Sequence, residues 1–303
     1  MSEKIGNISM NYDYYSGEDL YNEGDETENM ILEIVKNEED YGYSHEKYNE
    51  WPVLYHLSRQ RENIVEPMDI RETDDVLEIG AGMGAVTGAL AERAKHVDCI
   101  ELSKRRSLVN AYRHREMDNI EIFVGNFQDI VLEKQYDVIT LIGVLEYAYH
   151  YIDSKTPYED FIRKTVSMLK PGGRLYVAIE NKLGMKYLAG YNEDHLFEPF
   201  HGVQGYTRHD KVKTFSKEQL EKLLLENGYQ SLYFYYPFPD YKLPIVIHSD
   251  DTIENAGLDF PEQSNYDAPV IETFRIVKAF ESLRGSSERK TLANSFLVEA
   301  VKE

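Results

Sequence analysis

From residue 75 onward the chain alternates short apolar runs with amphipathic stretches. Apolar runs over 76–80, 97–101, 120–124, 136–142 and 174–179 read as five strands in order. Between the fourth and fifth, Tyr158, Phe161, Ile162, Val166 and Leu169 recur at helical spacing and mark one buried face. That helix is expected to stop at Lys170-Pro171-Gly172-Gly173, which cannot continue it. Ser216-Lys217-Glu218-Gln219 is a capping box. It opens a helix with Leu220, Leu223 and Leu224 inward and Gly228 as its stop. Further strands are expected over 231–236 and 295–301. Strands separated by helices imply βαβ units and a mostly parallel sheet.

Upstream, Met30, Ile31, Ile34 and Val35 predict a helix over 28–36, and 51–64 reads as a second helical stretch. The first 27 residues are polar and tyrosine-rich and are expected to be partly mobile. Segments 182–213 and 241–289 are too long for simple loops. They are the natural carriers of acceptor recognition, because specificity on α/β scaffolds lives in loops. The expected organisation is a helical cap over 1–71 and an α/β core over 72–303 with those two insertions. Cap and insertions are expected to act as a lid.

Composition narrows the partners. The net charge is −21, whereas nucleic-acid binders need basic surface to displace counterions, so no nucleic acid is expected. Lys104-Arg105-Arg106 is the dense basic cluster, and it reads as a solvated helix face. The one cysteine, Cys99, excludes a disulfide framework or a cysteine-rich zinc site within the chain. It lies in an apolar run and reads as a small core residue. No N-terminal signal region and no run of about 20 apolar residues is present, so a cytoplasmic protein without membrane insertion is expected. Oligomeric state is not legible.

The strongest local signal is Val76-Leu77-Glu78-Ile79-Gly80-Ala81-Gly82-Met83-Gly84, a strand running through alternating glycines into a helix. Glycine permits the tight turn and close approach of a ligand to the backbone, at the strand end where open α/β sheets bind nucleotides. Gly80, Gly82 and Ala85 also satisfy the dinucleotide spacing, so an NAD-dependent oxidoreductase is one alternative. Glu78 argues against it, because a carboxylate repels diphosphate but suits the sulfonium and ammonium of S-adenosylmethionine (SAM). Read otherwise, Glu78 is a strand-edge acid satisfied by local donors. Glu101, 21 residues past Gly80, can accept both ribose hydroxyls of either cofactor.

With these residues the chain resembles the class I SAM-dependent methyltransferases, over roughly 75–236 and the final strand. The resemblance implies a Rossmann-like, seven-stranded, mostly parallel sheet with helices on both faces and an antiparallel last strand. It implies SAM as cofactor, with S-adenosylhomocysteine (SAH) as product. Residues Glu78, Gly80, Ala81, Gly82, Gly84, Glu101, Leu102, Ile142 and Gly143 would line its site. Gly125-Asn126-Phe127-Gln128-Asp129 falls where the family commonly has Gly-Asp and an adenine contact. Asn126 replaces that acid and Phe127 is placed to pack on the adenine. Arg61 is a candidate for the cofactor carboxylate, or a surface salt bridge. A catalytically silent SAM-binding subunit is a further alternative, which the intact glycines, Glu78 and Glu101 argue against.

For the acceptor, the fourth strand ends Leu141-Ile142-Gly143-Val144-Leu145-Glu146-Tyr147. It lacks the Asn/Asp-Pro-Pro-Tyr turn of base-amine methyltransferases and the Pro-Cys of cytosine C5 enzymes. The segment from Ile179 to His195, with Gly205-Tyr206, resembles methyltransferases associated with bacterial cell-surface polysaccharide gene clusters. So does Trp51-Pro52-Val53-Leu54-Tyr55-His56-Leu57-Ser58 with Arg61-Glu62-Asn63. This implies a sugar or glycan hydroxyl as acceptor, against N- or O-methylation of a small metabolite. A hydroxyl needs a base with a pKa near working pH, and histidine is the natural choice. His195, oriented by the adjacent Asp194, is the first candidate, or else a loop histidine bonded to backbone or solvent. His201, His150, Glu146 and Glu180 stand behind it. Glu180 and Asn181 either orient the acceptor or cap a strand end. Asp250 and Asp251 with His248 could hold Mg²⁺, but adjacent acids here read as a solvated loop, so no metal is expected.

Overall fold

The computed structural model describes residues 2–19, 23–38, 47–48, 50–258, 260 and 272–303. Parts of the expected N-terminal tail (20–22) and of the second insertion (261–271) lie outside them. The chain divides into two compact units, Met1–Leu141 with Met168–Arg174, and Ile142–Ser167 with Leu175–Glu303.

The first unit begins β1 (Ser2–Ile5), β2 (Ile8–Tyr14), α1 (Asp25–Asn37) and α2 (Trp51–Leu57). It continues β3 (Asp75–Ile79), α3 (Thr87–Ala91), β4 (His96–Glu101), α4 (Lys104–Arg113), β5 (Ile120–Gly125) and β6 (Tyr136–Ile142). Strand β3 pairs in parallel with β4 and with β6, and β4 with β5. These strands are nearly continuous in buried aliphatics, as expected where both faces of a parallel sheet are covered.

The N-terminus corrects the sequence reading. Residues 2–14 form an antiparallel hairpin rather than part of a helical cap, and β2 runs parallel to β5. Ile8 and Met10 are fully buried while Ser9 and Asn11 are not, a strand periodicity that was present in the sequence. Gly125 makes the pairing possible. Its φ is +156°, and a Cβ there would stand 2.6 Å from the carbonyl oxygen of Tyr14. Helices α1 and α2 join the same unit through Ile31, Ile34, Val35, Val53 and Leu57, which cluster with Val109 of α4 and with Met83 of the glycine turn. The basic cluster of α4 is likewise not solvated. The Arg106 Nε donates to buried Glu28 at 2.9 Å, and Arg105 pairs with Asp25 at 2.7 Å.

The second unit holds α5 (Ala148–Tyr151), α6 (Pro157–Met168, whose last residue falls in the first unit) and the end of β7 (Leu169–Glu180). It adds α7 (Met185–Leu188), α8 (His201–Gln204), α9 (Lys217–Glu226), β8 (Tyr229–Phe238) and β9 (Val246–Ser249). The chain closes with α10 (Ile276–Ser282), α11 (Glu288–Leu292) and β10 (Ser295–Lys302). Strand β10 is antiparallel to β8, and β8 to β9. The capping box at Ser216 forms as expected, with both reciprocal bonds present. The strands expected from the resemblance correspond to β3 to β8 and β10. Strands β1, β2 and β9 bring the described total to ten instead of seven.

Candidate active site

At the end of β3, Gly80, Gly82 and Gly84 have φ of +73°, +55° and +75°, values only glycine adopts freely. The amides of this turn are spoken for. Gly80 N and Ala81 N donate to Ile100 O at 2.8 and 3.1 Å. Gly82 N donates to Glu101 Oε2 at 2.8 Å, and Gly84 N to Ala81 O at 2.9 Å. These four amides already have acceptors, which leaves less of the turn for a diphosphate.

Glu101 is buried, and its second oxygen accepts from Ser103 N at 2.8 Å. Each carboxylate oxygen has a second lone pair, so both can still take ribose hydroxyls. Burial raises the Glu101 pKa, while Arg106 and the two backbone donors pull against that. The space where a Gly82 Cβ would project is open.

Glu78 is held below the turn. Its carboxylate accepts from Thr87 Oγ1 at 2.6 Å and lies 3.5 Å from Cys99 Sγ. Burial pushes its pKa up to about 7, against the opposing hydrogen bonds of Thr87 and Cys99. The network continues from Thr87 to Asn110 and on to His114, which explains Gly84 because a Cβ there would overlap the Asn110 side chain.

Arg61 is buried on the short helix after α2, with its guanidinium 4.4 Å from the Tyr55 ring centre. It is therefore not a surface salt bridge. Leu102 is half-buried, directly after Glu101. Asn126 Oδ1 accepts from Gln128 N at 3.1 Å, and Phe127 is buried. In the second unit, half-buried Ile142 ends β6. Gly143 follows with φ +69°, and a Cβ there would stand 2.7 Å from the Tyr241 hydroxyl.

The second unit gathers the other candidates. Glu146 sits in the turn after β6, Glu180 is the last residue of β7, and His195 lies in the loop after α7. One ligand atom from each falls within 4.8 Å of the other two. The His195 Nε2 is 3.5 Å from Glu180 Oε2, and its Nδ1 is 3.0 Å from the Tyr147 hydroxyl. Lys242 Nζ pairs with Glu180 Oε1 at 2.8 Å and with Asp194 Oδ1 at 2.7 Å.

The expected Asp194–His195 pair is thereby corrected. Asp194 faces Lys186 at 2.8 Å, Lys242 and the Tyr187 hydroxyl, while the carboxylate facing the imidazole is Glu180. Adjacent loop residues point opposite ways, and two lysines outcompete one imidazole for Asp194.

Burial opposes every charge here, and the neighbours decide the outcome. Burial lowers the His195 pKa, but the carboxylates of Glu180, Glu146 and Glu193 overcome it and carry the ring up to about 9. Burial and the nearby Glu180 charge push Glu146 up to about 8. Glu180 itself goes down despite burial, because Lys242 and His195 stabilise its anion.

Glu193, Lys186, Lys242 and Tyr147 belong to this cluster and were not named from sequence. Glu193 accepts from His195 N, Leu196 N and the Tyr206 hydroxyl, and so shapes the turn that presents His195. Lys242 is 62 residues from Glu180, and no local pattern connects them.

The remaining candidates go elsewhere. Asn181 donates to the carbonyls of Thr291 and Ala293, tying β7 to the chain before β10. His201 lies between Glu198 and Asp210, and His150 is exposed. Asp250 and Asp251 accept from the hydroxyls of Tyr236 and Tyr233.

A methyltransferase-domain family model matches residues 77–175, the stretch that contains the glycine turn and Glu101. Over that third of the chain the match is to a methyltransferase domain. A putative methyltransferase, YrhH of Bacillus subtilis, is 29% identical over 136 residues, covering 44% of this chain and 72% of that protein. A probable ribosomal RNA small subunit methyltransferase A of Methanothermobacter thermautotrophicus is 31% identical over 126 residues, 39% of this chain and 45% of that one. The chain thus spans under half of that ribosomal RNA enzyme. Such kinship removes the expectation, drawn from net charge, that nucleic acid is excluded. The phosphoethanolamine N-methyltransferase 1 of Haemonchus contortus, solved with phosphoethanolamine and SAH, shares the fold. Its TM-score is 0.50 at 13% identity, over 91% of this chain and 49% of that one. No described helix is long and apolar enough to cross a membrane.

Proposed function

We propose that the enzyme methylates a hydroxyl of a small neutral polyol, a sugar or glycan unit, seated against Glu146, Glu180 and His195. The observation that supports this is Glu146 Oε2, a buried atom without a hydrogen-bond partner, beside a buried Glu180–His195 pair held at only 3.5 Å. Buried polar atoms are rarely left so, and a ligand hydroxyl, donor and acceptor at once, answers both the carboxylates and the imidazole.

Charge favours a neutral acceptor over a cationic amine. Glu180 and Asp194 are already answered by Lys242, Lys186 and His195, so no carboxylate is left waiting for an ammonium. The resemblance of residues 179–206 to polysaccharide-cluster methyltransferases points the same way.

Bound SAM supplies an electrophilic methyl group. The glycine turn, Glu101, Leu102, Asn126, Phe127 and Arg61 are the residues of the first unit proposed to hold SAM. The chain's work at the acceptor is orientation and removal of the hydroxyl proton; with the His195 pKa carried up to about 9, the deprotonated fraction of that ring takes the proton up, and turnover should rise as pH approaches that value. In-line placement supplies much of the rate in such a transfer.

The test is SAH release from SAM across panels of nucleotide sugars, free glycans and small amines, with the methylated atom fixed by NMR. Turnover confined to amines refutes the hydroxyl reading.

A further inference from the structure

We propose that Glu146, Glu180 and His195 form a binding site for one divalent cation of the Mn²⁺ or Zn²⁺ type. Three observations carry it.

The first is spacing. The three ligand atoms lie within 4.8 Å of one another, and His195 Nε2 is 3.5 Å from Glu180 Oε2. Two donors about 2.1 Å from a tetrahedral ion stand about 3.4 Å apart.

The second is orphaned donor capacity. The Glu146, Glu180 and His195 side chains are more than nine-tenths buried; Glu146 Oε2 has no hydrogen-bond partner, and Glu180 Oε2 and His195 Nε2 face only each other, at 3.5 Å. Lys242 pairs with Glu180 through Oε1, which leaves Oε2 for an ion.

The third is charge. Glu146, Glu180, Glu193, Asp194 and Asp240 gather around two ammonium groups, those of Lys186 and Lys242.

The donor set selects the ion. A histidine nitrogen with two carboxylates suits Mn²⁺ or Zn²⁺, whereas Ca²⁺ and Mg²⁺ prefer oxygen alone. The Tyr147 hydroxyl at 3.0 Å from Nδ1 is the outer partner that fixes ring orientation in metal-bound histidines. The three ligands come from three separated segments, so no short motif announces them. The proposal rests on the hydroxyl reading in one respect only: an ion there would hold the acceptor hydroxyl and make it more acidic. Binding of the ion is independent of it.

The full chain, stripped with EDTA, is titrated with MnCl₂ while free Mn²⁺ is read by EPR, with no acceptor present. One site per chain is expected, with pulsed EPR showing nitrogen coupling from the imidazole. Glu146→Gln should weaken Mn²⁺ binding about tenfold or more, and His195→Gln should do the same and abolish the nitrogen coupling. SAH affinity and circular dichroism of both variants should match the parent. If Glu146→Gln does not fold, His195→Gln carries the test. Failure to bind Mn²⁺ at millimolar concentration overturns the site. So does binding that survives both variants but is lost in Asp250→Asn.

The two readings separate cleanly. An EDTA-stripped enzyme that methylates a polyol and binds no Mn²⁺ refutes the ion site and supports the hydroxyl reading. Stoichiometric Mn²⁺ binding in an enzyme that methylates only amines does the reverse.

Discussion

Replacing Glu101 with alanine tests the cofactor site most directly, because that carboxylate serves the fold and the ligand together. Its oxygens take Gly82 N and Ser103 N, both at 2.8 Å. An orphaned buried donor costs about 1–3 kcal/mol. The cavity left by the side chain admits water, so the lower half of that range applies, about 2–4 kcal/mol for the pair. Loss of the ribose hydrogen bonds is a separate effect. A bond to a charged group is worth about 1.5–3 kcal/mol, which is about a tenfold to 150-fold weakening of SAH binding.

Urea unfolding without ligand reads the first effect, and calorimetric titration with SAH reads the second. Linkage gives an internal check. SAH at a hundred times the parent Kd stabilises the parent by about 2.7 kcal/mol. The same concentration should stabilise Glu101→Ala by only about 0.3–1.4 kcal/mol. A variant that loses stability but keeps parental SAH affinity would refute the ribose assignment and leave Glu101 as a strut of the glycine turn.

Three further outcomes are expected. Glu28→Ala removes the 2.9 Å partner of buried Arg106 and leaves it Glu23 at 3.3 Å, so the loss should fall at or below the low end of the about 3–5 kcal/mol that breaking a buried pair costs; a urea midpoint within error of the parent would contradict it. Gly125→Ala drives a Cβ against the Tyr14 carbonyl and should strip hydrogen-exchange protection from β2 while sparing β3 and β4; unchanged protection at Ile8–Tyr14 would show that the hairpin does not depend on it. Acidification should also destabilise the first unit. The Glu23 pKa goes down to about 2, since His56 and Arg106 outweigh its burial. A depressed carboxylate stabilises above its unfolded value of 4.5 and loses that contribution as pH falls from there toward 2. Burial also lowers the His56 pKa, so its protonation below pH 6.5 favours unfolding in the same direction. Glu23→Gln should flatten the stability profile between pH 5 and 3, as urea midpoints across that range would show.

Periodicity and punctuation made most elements legible from sequence. Runs of buried β-formers placed β3 to β6 within a residue or two, because in a parallel sheet both faces are apolar and the signal is continuous. Ser216 and Gln219 announced α9 through backbone donors that any helix start must satisfy. The alternating glycines located the turn, since left-handed φ values leave few other residues eligible. The hairpin over 2–14 was missed although Ile8 and Met10 alternate, because so short a polar strand acquires its partner only from β5.

Side-chain partnership was the part that sequence did not determine. Neighbours along a loop need not be neighbours in space. Asp194 and His195 are adjacent in the chain, yet Asp194 turns to Lys186 and Lys242 and His195 to Glu180. Ionisation follows partnership, so the charge states of Glu146, Glu180 and His195 were fixed only when β6, β7 and the loop after α7 brought them within 4.8 Å. The sequence by itself determined which elements form and where a cofactor turn lies, because those depend on backbone sterics and local hydrogen bonding. The tertiary structure alone decided which buried charges face one another, because Coulomb energy depends on distance through space and not along the chain.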